Sequence, residues 1–152
     1  MTTTDRLRMQ RHAPDALAGF AGVQEVLENA GLDAKLRHLV KLRASQMNRC
    51  AFCVRMHNDE ARADGETQER LETVVVWRDV DCFTEAERAA LAWTEALTTL
   101  HNPGGLEMLH GDLTRHFDDK AIAALTGMIA MINVWNRLQV ASHGGHRLPV
   151  MA

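Results

Sequence analysis

Ser45-Gln46-Met47-Asn48-Arg49-Cys50-Ala51-Phe52-Cys53-Val54-Arg55-Met56-His57 is the most chemically loaded stretch of the chain, and the rest reads as its helical housing. Two of the three cysteines stand here as C-x-x-C, with a histidine four residues beyond the second. Upstream, Asp33 is expected to cap a helix running to about Met47, with Leu36, Leu39, Val40 and Met47 as its apolar stripe. Asn48 is expected to stop that helix and to cap the next, which puts Cys50 in a first helical turn. The motif helix is expected over residues 49–64, closed by Gly65.

Helix geometry limits what the pair can do. Residues three apart have Cβ atoms about 5–6 Å apart, whereas a disulfide needs roughly 3.5–4.5 Å. Cys50 and Cys53 therefore pair only with modest distortion, most easily in a first turn, and such strain favours ready reduction over stapling. The helix N-terminus adds partial positive charge, which lowers a thiol's pKa. His57 lies one turn beyond Cys53 on the same face, placed for proton transfer with that sulfur. A metal site uses the same residues less well. Cys50 and His57 are about 10 Å apart along a straight helix, and no second C-x-x-C or H-x-x-H supplies further ligands. Burial of both cysteines as small apolar residues stays open as a third reading. A thiol redox site is the favoured one.

Outward from this stretch the periodicity stays helical. A helix is expected from Asp15 to about Asn29 through Leu17, Phe20, Val23 and Leu27. Another is expected from Thr67 to about Val76, with Leu71, Val74 and Val75 inward, before a turn near residues 77–81. Thr84-Glu85-Ala86-Glu87 is a capping box and opens a helix to about Leu100. A loop at residues 101–105 and a helix at 106–116 follow. Phe117 and Ile122 then flank Asp118 as a hydrophobic staple, opening the longest and most apolar helix, which runs to about Ala141. The organisation expected is an N-terminal arm at residues 1–14, one all-α domain at 15–142, and a flexible tail at 143–152 holding His143 and His146. Trp77, Trp93 and Trp135 read as core or interface anchors, and Cys82 as a bystander thiol.

At 152 residues and a net charge of −3, the chain is long enough for one good core and lacks the basic surface that nucleic acid demands. An odd cysteine count with two clustered argues against a secreted disulfide framework. Met1-Thr2-Thr3-Thr4-Asp5-Arg6 has no apolar signal-peptide core, and no apolar run is read as membrane-spanning. A reducing cytoplasm is the expected compartment, with neither nucleic acid nor membrane as partner.

Longer matches then carry a resemblance. Leu39-Val40-Lys41-Leu42-Arg43-Ala44-Ser45-Gln46-Met47-Asn48, followed by Cys50-x-x-Cys53-x-x-x-His57 and Glu60-Ala61-Arg62-x-x-Gly65, resembles the AhpD-like alkylhydroperoxidases of the carboxymuconolactone decarboxylase family. The similarity continues through Trp77-Arg78, Glu85-x-Glu87-Arg88-Ala89-Ala90-Leu91-Ala92-Trp93 and Ile132-Asn133-x-Trp135-Asn136-Arg137-Leu138.

That resemblance implies an AhpD-like helical bundle that forms homo-oligomers, hexamers or trimers. It also implies a thiol peroxidase or disulfide reductase that needs no haem, metal or other cofactor. Cys53 would attack the hydroperoxide, Cys50 would resolve the intermediate, and His57 would assist proton transfer. A lipoyl-bearing protein, another dithiol or a peroxiredoxin would be the exchange partner. The family's relay glutamate falls at position 38, where this chain has His38, so His38 becomes a candidate relay residue. Two rivals remain: a decarboxylase or lactone-processing enzyme, whose relatives do not depend on C-x-x-C, and a non-catalytic oligomer that senses oxidation.

Overall fold

Local signals set most helix starts. Asp33 accepts the Leu36 N–H at 3.1 Å and opens α3 (Ala34–Met47). Thr84 and Glu87 exchange both bonds of the capping box and open α6 (Glu85–Thr99). Asp118 accepts the Ala121 N–H at 2.8 Å at the head of α8 (Asp119–Ser142). The other helices are α1 (Met9–His12), α2 (Pro14–Glu28), α4 (Ala51–Ala63), α5 (Gln68–Thr73) and α7 (Leu106–Thr114). A 3₁₀ turn at Val74–Asp79 follows α5. The computed structural model describes residues 6–101 and 105–142, and among these no strand occurs. The expected tail, with His143 and His146, lies outside them, as do the first five residues of the expected arm.

α3 is the axis of the bundle and packs on α4, α6 and α8. The apolar stripe expected for it understates its burial, because Leu42 and Ala44 are also fully enclosed, while Met47 is only half-buried. One core cluster joins Leu36 and Val40 to Trp93, Leu125 and Ile129. A second joins Leu39 and Leu42 to Leu71, Val74, Trp77 and Leu91. α2 buries no residue completely and lies along α8, where Gly127 allows the Leu27 side chain to approach closely.

Four expectations need correcting. α5 ends at Thr73, and the chain tightens into 3₁₀ geometry instead of continuing to Val76. Val75 points outward, 52% exposed, while Val74 and Trp77 face the core. Arg88 explains the difference: its guanidinium donates to the Trp77, Val80 and Arg78 carbonyls, capping the 3₁₀ turn from α6. Within the expected arm, α1 forms and Arg6 N–H bonds the Ser142 carbonyl at 2.8 Å. Finally, α8 is long and apolar enough to cross a membrane by length and composition, with a best-window hydropathy of 1.3. Here that helix is packed by α2, α3 and α6.

The fourth correction concerns the motif itself. Asn48 is the C-cap of α3, not the N-cap of α4. Arg49 follows in the left-handed region at φ 54°, its N–H bonding the Gln46 carbonyl. Cys50 N–H bonds the Ser45 carbonyl at 3.1 Å, which completes a Schellman stop. Cys50 is thus the last residue of one motif and the N-cap of α4, with extended backbone at φ −87°, ψ 92°. The same stop closes α4, where Gly65 holds φ 86°.

Candidate redox site

Cys50 and Cys53 form a disulfide with Cα atoms 5.3 Å apart. Because Cys50 stands outside the helix, the pair escapes the spacing of two helical residues. Its sulfur also accepts the Cys53 N–H at 3.3 Å, so it caps a free helix donor.

The turn before Cys50 is held from α8. Asn136, fully buried, donates to Ser45 Oγ at 3.0 Å, and Ser45 Oγ donates to the Lys41 carbonyl. Asn48 Nδ2 donates to both Asn133 Oδ1 and Asn136 Oδ1 at 2.9 Å. The Ser45-Gln46-x-Asn48 and Asn133-x-Trp135-Asn136 segments, far apart in sequence, are therefore two halves of one polar clamp.

Cys53 and His57 open onto a cavity of about 410 Å³. α4 contributes Phe52, Met56 and Glu60 to its wall, α8 contributes Ile132, Trp135 and Gln139, α2 contributes Gln24 and Glu28, and α3 contributes Lys41. Cys50 is not among the lining residues. Most of the exposed wall is apolar, and polar groups enter it from α2, α3, α4 and α8.

Each ionisable group near the sulfur has a defined partner. His57 is 4% exposed, and its Nδ1 meets Glu60 Oε2 at 2.9 Å, while Nε2 is buried with no hydrogen-bond partner among the described residues. The hydrogen bond from His57 holds the Glu60 carboxyl below its ordinary 4.5, against the opposing effect of burial. Lys41, also buried, pairs with Glu28 at 3.0 Å. Burial pushes Glu28 up, but bonds and charge from Lys41, with Gln24 and Arg37, outweigh it and keep the carboxyl below its ordinary range.

His38 is placed differently. It is buried, and its Nε2 meets Asp64 Oδ2 at 2.6 Å, tying α3 to the C-terminal end of α4. His38 does not line the cavity. The structure thus brings together Cys50, Cys53 and His57 and leaves His38 outside the cavity wall, bonded to Asp64. Sequence reading missed Glu60 as a partner of His57, although their i, i+3 spacing on α4 signals it. Gln24, Glu28 and Lys41 left no local signal, because two of them come from α2. Trp135 was expected as an anchor; it lines the cavity, stacks edge-on against Phe20 and donates to Gln24.

An all-helical bundle with a buried cysteine pair, one member of which lines a mostly apolar cavity, defines the class. Residues 14–96 match the carboxymuconolactone decarboxylase family, and the chain belongs to it, as an AhpD-like member. The chain is 30% identical over 138 residues to the uncharacterised protein YdfG of Bacillus subtilis (strain 168), covering 91% of this chain and 94% of that protein. A crystal structure from Agrobacterium tumefaciens, of a protein of unknown function proposed to be the antioxidant defence protein AhpD, superposes with a TM-score of 0.88 at 35% identity. That match covers 95% of this chain and 99% of the other. A peroxidase-related protein with an AhpD core from Ralstonia eutropha JMP134 shares the fold at a TM-score of 0.72 and 20% identity, over 86% of this chain and 70% of that one.

Proposed function

We propose that the protein is a thiol peroxidase that reduces hydroperoxides through the Cys50–Cys53 pair, in an antioxidant role. One observation carries the reading: Cys53, bonded to Cys50, shares a largely apolar cavity with a buried histidine whose outer nitrogen is unpartnered among the described residues. The antioxidant role proposed for the Agrobacterium relative supports it.

In the reduced protein the Cys53 thiolate attacks the distal oxygen of the hydroperoxide. The O–O bond breaks as the S–O bond forms, the alkoxide takes a proton and leaves as alcohol, and Cys53 becomes a sulfenic acid. The Cys50 thiolate then attacks the Cys53 sulfur, and the S–O bond gives way to a disulfide as hydroxide leaves and is protonated to water. An external dithiol restores both thiols by exchange and is itself oxidised. Cys53 takes the attacking role because it faces the cavity, and Cys50 the resolving role because it does not. His57 moves the proton. His38 stands outside this set because its ring is committed to Asp64.

A lipoyl-bearing protein or a peroxiredoxin is the proposed exchange partner, and the cytoplasm the proposed compartment. A trimer or hexamer is the proposed assembly, supported by Val23 and Val26 on the outer face of α2, 49% and 71% exposed. Hydroperoxide consumption with dithiothreitol as reductant tests the activity. Cys53→Ser is expected to abolish turnover, and Cys50→Ser to leave a sulfenic acid at Cys53 that a dimedone probe captures. Undiminished turnover in Cys53→Ser rules the mechanism out.

A further inference from the structure

Cys53, His57 and Glu60 stand at i, i+4 and i+7 and form one stripe along α4. The stripe ends on a carboxylate whose other possible rivals are occupied. Glu28, the second carboxylate on the cavity wall, is bound to Lys41, and Asp64 is bound to His38. Among the described residues, Glu60 is the carboxylate that meets His57. Because a carboxylate can only accept, the 2.9 Å contact puts the ring proton on Nδ1 and leaves a lone pair on Nε2 in the neutral imidazole. That Nε2 is buried, without a partner among the described residues, on a residue that lines the cavity with Cys53.

We infer that Glu60 is a positioning residue which fixes the His57 tautomer and steadies its charged form, so that Nε2 takes the Cys53 thiol proton. The inference rests on Cys53 being the reactive thiol of the proposed peroxidase. In this step the S–H bond breaks, an Nε2–H bond forms, and no electrons leave the pair. The products are a thiolate and an imidazolium, and the Glu60 carboxylate lies against the imidazolium. An imidazole held by a carboxylate is the arrangement that activates serine and cysteine nucleophiles on unrelated folds. Here the carboxylate comes from the same helix as the thiol, ten positions after the first cysteine, and not from position 38.

The charges around His57 are consistent with this role. On its own helix stands Glu60; from α3 come Lys41, paired with Glu28, and His38, hydrogen-bonded to Asp64; from α2 comes Glu28 itself. The cavity residues of α8 are the uncharged Ile132, Trp135 and Gln139. Glu60 is thus the negative group that contacts the ring and is not already engaged by Lys41 or His38.

The test uses the full chain with Cys50→Ser and Cys82→Ser, which leaves Cys53 as its one thiol. The rate of iodoacetamide alkylation is followed against pH. With Glu60 present the midpoint is expected below the free-thiol value of about 8.5. Glu60→Gln is expected to raise the midpoint by about one unit and to slow alkylation near neutrality about tenfold, and Glu60→Asp to recover most of the loss. An unchanged profile in Glu60→Gln overturns the inference. A second measurement needs no substitution at Glu60: ¹⁵N spectra of the neutral His57 ring are expected to show the Nδ1–H tautomer, and the Nε2–H tautomer overturns the inference. Hydroperoxide consumption by the same protein separates the two ideas. A shifted profile without peroxide reaction removes only the peroxidase reading, and peroxide reaction with an unshifted profile removes only the role of Glu60.

Discussion

Arg49 sits in a left-handed conformation that glycine usually supplies, one residue before the first cysteine. A β-branched side chain tolerates that region poorly, so Arg49→Val is expected to lose about 1–2 kcal/mol in urea unfolding, whereas Arg49→Gly is expected to lose nothing. Equal stability for the two variants would mean that the Schellman stop does not constrain this turn. Asn136 holds the same turn from α8 and is fully buried between Asn48 and Ser45. Asn136→Ala leaves both partners short of a bond and is expected to cost about 2–3 kcal/mol. An unchanged unfolding midpoint would contradict the clamp. At position 38, restoring the relay glutamate of the family is expected to bring no gain in peroxide turnover. The side chain there is directed to Asp64, and a glutamate would meet that carboxylate with like charge. A clear rise in turnover would return position 38 to the proton path.

Between elements, Glu95 is a junction. It accepts from Arg43 on α3 and, in the 3₁₀ turn, from Trp77 at 2.9 Å and from Arg78 beside it, joining two elements to α6. Burial alone would raise its carboxyl, but the bonds from Trp77, Arg78 and Arg43 outweigh burial and hold it below its ordinary 4.5. A depressed folded value means that the unfolded chain takes up the proton first. The stability Glu95 contributes is therefore present above pH 4.5 and is lost as pH falls through its lower folded value. Glu95→Gln is expected to lose about 2 kcal/mol at neutral pH, with the gap to the wild type narrowing below the ordinary carboxylate range. Urea unfolding across a pH series measures this, and a gap independent of pH would contradict it. The same region marks where sequence patterns run out at the level of elements. Starts at Asp33, Thr84 and Asp118 were legible because each cap is made within four residues. The end of α5 was not, since Val74-Val75-Val76 has little local preference of its own and Arg88, from another helix, decides it.

Over the whole molecule, the all-helical class and the motif helix were legible from periodicity and caps, and the family from the cysteine motif with its flanking segments. Long-range pairing was not. The polar clamp joins residues more than eighty positions apart, and the cavity borrows Gln24 and Glu28 from α2. The start of the motif helix was placed two positions early because asparagine is a favoured N-cap, yet the N-cap is Cys50 and Asn48 spends its side chain on α8. That displacement matters to function, since it frees Cys50 to meet Cys53 and leaves Cys53 as the cysteine on the cavity wall. The redox claim then has a direct measurement. The fully reduced chain, with three thiols, is treated with one equivalent of an organic hydroperoxide, denatured and assayed for free thiol. Loss of the Cys50 and Cys53 thiols with Cys82 remaining, and formation of one alcohol per disulfide, is the expected result. Retention of all three thiols, or loss confined to Cys82, would contradict the claim.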